Sequence, residues 1–255
     1  MQLKAHDFLS HLEGRLRPVY FLSGDETLLV EEAADAVLAA ARAQGFTERS
    51  VLHAEAGFKW HELSADAASL SLFAERKVLD LRNPSGKFDK EASEVLRAYC
   101  ADPAEDNLLL IRAPRIEGRQ KNAAWFKAID GVGVVVQFWP VSLGELPRWL
   151  SARLKRAGQT LEPAALAYLA ERVEGNLLAA VQEVEKLKLA ELPQPVSAEA
   201  IAAVLEDAAH YDTFELLDAV FNGEAERVPR MVHGLRAEGV ALFAILGALT
   251  SQLRA

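Results

Sequence analysis

The chain has little of what marks a catalytic, secreted or membrane protein. A single cysteine, Cys100, stands among 255 residues. That excludes an internal disulfide and any multi-cysteine zinc site, and it fits a reducing cytoplasm. No apolar run approaches the roughly 20 residues a bilayer-crossing helix needs, so no membrane partner is expected. The opening Met1-Gln2-Leu3-Lys4-Ala5-His6-Asp7 lacks the apolar core of a signal peptide. The six histidines (His6, His11, His53, His61, His210, His233) show no ligand spacing such as H-E-x-x-H, so no metal is expected. No serine sits in a G-x-S-x-G elbow, which removes that route to nucleophilic catalysis. Positive charge is also short. With 28 Lys and Arg against 37 Asp and Glu, the net charge is −9. A chain of that charge does not coat nucleic acid by itself, so any DNA contact must come from a local patch or from partner subunits.

What is present is a globular pattern. Hydrophobic residues make up 51% and charged residues 25%, in a length sufficient for two domains or more. The first half alternates between two periods. Apolar runs predict strands over 18–23, 50–54, 77–81, 107–111 and 132–138. Between them helical spacing predicts helices over 25–44, from Trp60 onward, over 89–99 and over 120–129. Asp25 or Thr27 can cap the first of these, and the early acids suit the positive end of its dipole. Several strands are apolar throughout, as in a parallel sheet covered on both faces. After Trp139-Pro140 the strand signal stops. Helical period continues over 146–157, 163–173, 176–190 and 197–208, broken at Gly158, Gly175 and Pro193-Gln194-Pro195. A further group over 213–221, 224–237 and 240–253 opens a third unit. Its last helix is so apolar that it calls for neighbours beyond those in this chain.

The loop after the first predicted strand is where a doubly wound domain places its phosphate loop. Here it reads Leu22-Ser23-Gly24-Asp25-Glu26-Thr27, with one glycine, no lysine and two carboxylates. Phosphate binding needs glycines for close backbone approach and a lysine for charge, so Gly24 reads as a plain turn residue. Two basic groupings remain: Arg112, Arg115, Arg119 and Lys121, then Arg148, Arg153, Lys155 and Arg156. Either could meet DNA phosphates or a neighbouring subunit, and solvated faces would give the same pattern, since Glu117 and Glu145 interrupt them. The stretch Leu70-Ser71-Leu72-Phe73 closes the helix that begins near Trp60. Its Leu72-Phe73 pair has two possible placements: core under the sheet edge, or an anchor projecting into a pocket on a partner.

The chain also resembles a known family. The motifs are Tyr20-Phe21-Leu22-Ser23-Gly24-Asp25-Glu26, Gln44-Gly45-Phe46-Thr47-Glu48, Ser71-Leu72-Phe73-Ala74, Asn107-Leu108-Leu109-Leu110-Ile111 and Asn122-Ala123-Ala124-Trp125-Phe126. They continue as Leu146-Pro147-Arg148-Trp149, Glu174-Gly175-Asn176-Leu177-Leu178-Ala179 and Asp207-Ala208-Ala209-His210. In this order they are similar to the delta subunit of the bacterial DNA polymerase III clamp loader. The resemblance implies an α/β AAA+-type parallel-sheet domain over 1–140, a helical lid over 141–210 and the start of an all-α collar over 211–255. The family continues through a complete collar, whereas this chain ends early in it. Delta lacks the phosphate loop of its ATPase sisters and grips the ring-shaped sliding clamp. The resemblance implies Leu72 and Phe73 as the clamp-binding anchor, with Leu70 and Ser71 beside them. Expected partners are the sliding clamp (beta subunit), the clamp-loader ATPase and delta-prime subunits, and primer-template DNA. No cofactor and no intrinsic catalysis are expected. The alternatives are a nucleotide-binding AAA+ ATPase or another enzyme on a doubly wound sheet.

Overall fold

The computed structural model of the chain describes residues 1–69 and 76–207, with isolated positions between 216 and 232. It falls into two compact units, Met1–Ser142 and Leu143–Ala255. In the first, six strands make one sheet: β1 (Gln2–Leu3), β2 (Val19–Gly24), β3 (Glu48–His53), β4 (Lys77–Arg82), β5 (Asn107–Ala113) and β6 (Val134–Phe138). Their spatial order is β1-β6-β2-β5-β4-β3, and every pairing is parallel. The connections carry α1 (Phe8–Leu12), α2 (Thr27–Ala43), α3 (His61–Ala68), α4 (Lys90–Ala101), α5 (Gly118–Lys121) and α6 (Ala124–Val132).

The apolar strands arise because alternate residues point to opposite faces and both faces are covered. Tyr20, Leu22, Leu108, Leu110, Val134 and Val136 pack on one face against Val30, Ala34 and Val37 of α2. Phe21, Leu79, Leu81, Leu109 and Ile111 pack on the other against Leu63, Leu96, Trp125 and Phe126. There Phe88 stacks on Trp125 with ring centroids 4.2 Å apart. Strand β3 lies at the sheet edge and alternates between half-buried and exposed residues instead.

Four details depart from the sequence reading. Strand β1 is an addition: two residues pair with Val135 and Val136, too few to carry a period. Glu26 occupies the N-cap of α2 and no side chain caps it, so the cap expected from Asp25 or Thr27 is not made. The single helix expected over 120–129 is two, α5 and α6, and α6 continues to Val132. Gly24 is not a turn residue. It is the last residue of β2, where a Cβ would lie 2.9 Å from the carbonyl carbon of Phe138. Close approach of two strands requires the glycine there. Gly133 is held the same way, since its Cβ would meet the Val19 side chain at 2.8 Å.

The second unit contains α7 (Leu146–Arg156), α8 (Pro163–Arg172), α9 (Leu177–Leu189) and α10 (Ala198–Asp207). Each buries one stripe: Leu146, Leu150 and Leu154 on α7, Ala165 and Leu169 on α8, Ala180, Val184 and Leu187 on α9. Asn176 caps α9 by accepting from the Ala179 amide at 2.9 Å, and Pro163 opens α8 where its missing N–H costs nothing. The helices expected over 213–221, 224–237 and 240–253, and the division at 210/211, fall almost wholly outside the described residues. Among the described residues no helix is long and apolar enough to cross a membrane.

Candidate functional site

The two ends of the sheet present different chemistry. At the carboxyl end, α2 follows β2 where a phosphate would sit in a nucleotide-binding domain. Carboxylates and their arginine partners occupy that end. Asp80 of β4 is fully buried and takes Arg112 of β5 in a two-point pair, Nε to Oδ1 at 3.1 Å and Nη2 to Oδ2 at 2.5 Å. Arg49 of β3 donates to the same carboxylate at 2.6 Å, and Arg82 Nε lies 3.7 Å from it. The remaining terminal nitrogen of Arg112, Nη1, pairs with Glu31 of α2. Asp25 pairs with Arg115 at 3.4 Å. A cavity of about 540 Å³ opens beside this network, lined in part by Gly24, Asp25, Glu31, His53, Glu55 and Arg82. Arg112 also lines it, but its guanidinium is already paired with Asp80 and Glu31, so an incoming phosphate would meet the carboxylates Asp25, Glu31 and Glu55 with no lysine to offset them.

At the amino end, residues 70–75 join the end of α3 to the start of β4. The expected anchor residues Leu70, Ser71, Leu72 and Phe73 lie outside the described residues, but both ends of the segment are described. Lys77 is 4% exposed, and its ammonium bonds Ser69 Oγ at 2.8 Å, Ser69 O at 3.1 Å and Asp66 Oδ1 at 3.2 Å, as well as Asp66 O. Asn107 donates to Ala67 O at 2.8 Å. These donors meet carbonyls that the end of α3 leaves without helical partners, and the positive charge suits the helix terminus. On the other side Arg76 donates to Gln44 O at 2.8 Å and Glu105 O at 3.3 Å. Its guanidinium sits 4.2 Å from the centre of the Phe46 ring.

The basic groupings separate by environment. Arg112 is buried and its guanidinium is committed to Asp80 and Glu31. Arg115 is exposed and lies 4.5 Å over the Trp139 ring, while Lys121 donates to Gln137 at 2.8 Å. Arg119, Arg148, Lys155 and Arg156 are exposed, and Arg153 stacks on Trp149 at 5.0 Å. Among the described residues no three His, Cys, Asp or Glu side chains converge on a metal position. Lys77, Asp80, Asn107 and Arg49 escaped the sequence reading, although the first two stand out as charges inside apolar strand runs. A charge in such a place requires a buried partner, which is the signal that would have found them.

Comparison with known proteins bears on the same features. The family model for DNA polymerase III, delta subunit, matches residues 20–138. The chain is 32% identical over 253 residues to DNA polymerase III subunit delta of Escherichia coli K12, covering 99% of this chain and 74% of that one. It is 26% identical to the subunit of the same name from Haemophilus influenzae, covering 95% and 71%. Its fold matches the Bacillus subtilis DNA clamp loader delta protein with a TM-score of 0.66, at 20% identity, over 98% of this chain and 76% of that one. A six-stranded parallel α/β domain followed in sequence by a helical unit is the fold shared with that delta protein. The chain belongs to the DNA polymerase III delta subunit family.

Proposed function

We propose that this chain binds the sliding clamp through Leu72 and Phe73, flanked by Leu70 and Ser71, and favours the open ring for loading onto primed DNA. Whole-length similarity to a delta subunit carries this reading. The described residues on either side of 70–75 support it, since Lys77 opens β4 at its amino end, whereas the cavity is lined by Arg82 at the carboxyl end of the same strand. Binding and any nucleotide-like cleft would then be separate features. Ring opening follows if the anchor binds the open interface more tightly than the closed one, and the effect can be no larger than that difference. Burying one Leu and one Phe supplies about 3–6 kcal/mol before ordering costs.

The chain works in this reading as a non-catalytic subunit of the polymerase holoenzyme in the bacterial cytoplasm, with ATP handled by the clamp-loader ATPase subunits and delta-prime as a further neighbour. The sheet domain of 1–140 carries the anchor, 141–210 is the lid, and 211–255 begins the collar. Arg115, Arg119, Lys121, Arg148, Arg153, Lys155 and Arg156 are the side chains assigned to DNA phosphates or neighbouring subunits; the burial of Arg112 speaks for an internal role instead.

The test is a binding titration against the sliding clamp of the same organism. Wild type binds, and Leu72→Ala with Phe73→Ala loses on the order of 100-fold or more in affinity while the fold is kept. Equal affinity of the two would refute the anchor. A parallel titration with ATP is expected to show no saturable binding, and stoichiometric binding would favour the ATPase alternative.

A further inference from the structure

The buried side chains around the ends of residues 70–75 carry a second conclusion, which rests on the clamp-binding reading above. We infer that Lys77, Asn107 and Arg76 form a clasp that positions the anchor segment, so that they act in clamp binding without touching the clamp. Lys77 is the centre of it. Its side chain is 5% exposed, and it is spent on Asp66 and Ser69, the last turn and the C-cap of α3. Ser69 Oγ in turn donates to Asp66 O at 2.8 Å, closing a ring of bonds at the point where the segment departs. Asn107, from the neighbouring strand β5, holds Ala67 O. Where the segment returns, Arg76 is tied to the backbone at Gln44 and Glu105 by its side chain. Its carbonyl accepts from the Thr47 amide at 3.1 Å.

The physical consequence is preorganisation. A segment with free ends must be ordered when its apolar side chains enter a pocket, and that ordering opposes binding. Fixing both ends to the sheet and to α3 removes part of the opposition before the partner arrives. The clasp is costly for a protein to keep unless it does something, because a lysine with its charge inside the fold is stable only with complete hydrogen bonding. An apolar residue at position 77 would continue the run of β4 with no such requirement.

The experiment uses the full chain and the sliding clamp, with affinity and thermal unfolding midpoint measured for each variant. Lys77→Met is expected to weaken clamp binding about tenfold, and Asp66→Asn and Ser69→Ala by about two- to fivefold, with midpoints of the last two lowered by less than that of Lys77→Met, because Lys77 keeps its remaining partners. The same Lys77→Met change is then made beside Phe73→Ala. Positioning predicts a smaller loss in that background, because part of what was positioned is gone, whereas a purely structural role costs the same in both. The inference is overturned if all three variants bind within twofold of wild type while Leu72→Ala with Phe73→Ala still abolishes binding. It is equally overturned if only Lys77→Met loses affinity, in step with a lowered midpoint. Failure of the wild-type chain to bind the clamp overturns the clamp-binding reading itself, and this inference with it.

Discussion

Asp80 and Arg112, 32 residues apart in sequence, form a two-point ion pair on adjacent strands inside the sheet domain, and Asp80 is wholly shielded from solvent. The pair ties β4 to β5, and its extension to Glu31 ties both to α2. Removing one partner strands the other: Asp80→Leu leaves Arg112 buried beside Arg49 and Arg82 with only Glu31 to meet them. The expected loss is about 3–5 kcal/mol in urea unfolding. Asp80→Leu combined with Arg112→Met loses less than the sum of the two single changes, as contacting partners do. Strict additivity would show that the pair carries no coupling.

Gly24 is expected to be a packing residue, although it stands in the loop position where a phosphate would bind. Gly24→Ala pushes a methyl group into the Phe138 backbone. Overpacking of that kind destabilises by about 1–3 kcal/mol. A melting curve superimposable on wild type would contradict this.

Cys100 sits in α4 with 5% of its surface exposed, and burial pushes its thiol up to about 11. At pH 8 the reactive thiolate is then scarce, and a disulfide-exchange dye should label the native chain at least about 100-fold more slowly than an unfolded one. Since it is the only cysteine, labelling reports unfolding directly. Fast labelling without denaturant would show that the α4 face opens.

His11 Nε2 and the Tyr20 hydroxyl share a hydrogen bond at 3.2 Å, and the same hydroxyl accepts from the Arg17 amide at 3.2 Å. Burial first, and the Arg17 charge second, lower the His11 pKa from its ordinary value of 6.5. A depressed histidine pKa means that the folded state binds the proton more weakly than the unfolded one. Its contribution to stability is therefore complete above pH 6.5 and is lost as pH falls through the folded value. His11→Gln should flatten the fall in unfolding free energy between about pH 7 and 5. An unchanged slope would assign that fall to other groups.

The helices α7, α8 and α9 were readable from sequence to within a residue or so, because each carries one apolar stripe at helical spacing and ends shortly before Gly158, Gly175 or Pro193. The strands β2, β4, β5 and β6 were readable as apolar runs because both faces of a parallel sheet are covered. Strand β1 was not, since two residues have no period. The break between α5 and α6 was missed because the helical spacing runs across Asn122-Ala123 without interruption. The proposed anchor rests on family resemblance alone: Leu72-Phe73 has the same apolar character whether it serves as core or as an anchor.

By itself the sequence determined the order of strands and helices along the chain, the lack of a phosphate loop, and membership of the delta family. These depend on local periodicity and on residue types at short spacing. The tertiary structure alone decided which charges are buried and what they meet. Asp80 joins Arg49 and Arg112 from different strands, Lys77 reaches back to Ser69 and Asp66, and Gly24 yields to Phe138 from more than a hundred residues away. The apolar neighbours of Asp80 in β4 call for a buried partner but do not say which residue it is. Its partners are brought to it only when the sheet assembles in the order β2-β5-β4-β3, and the desolvation of a charge depends on what surrounds it in space, not on its neighbours in the chain.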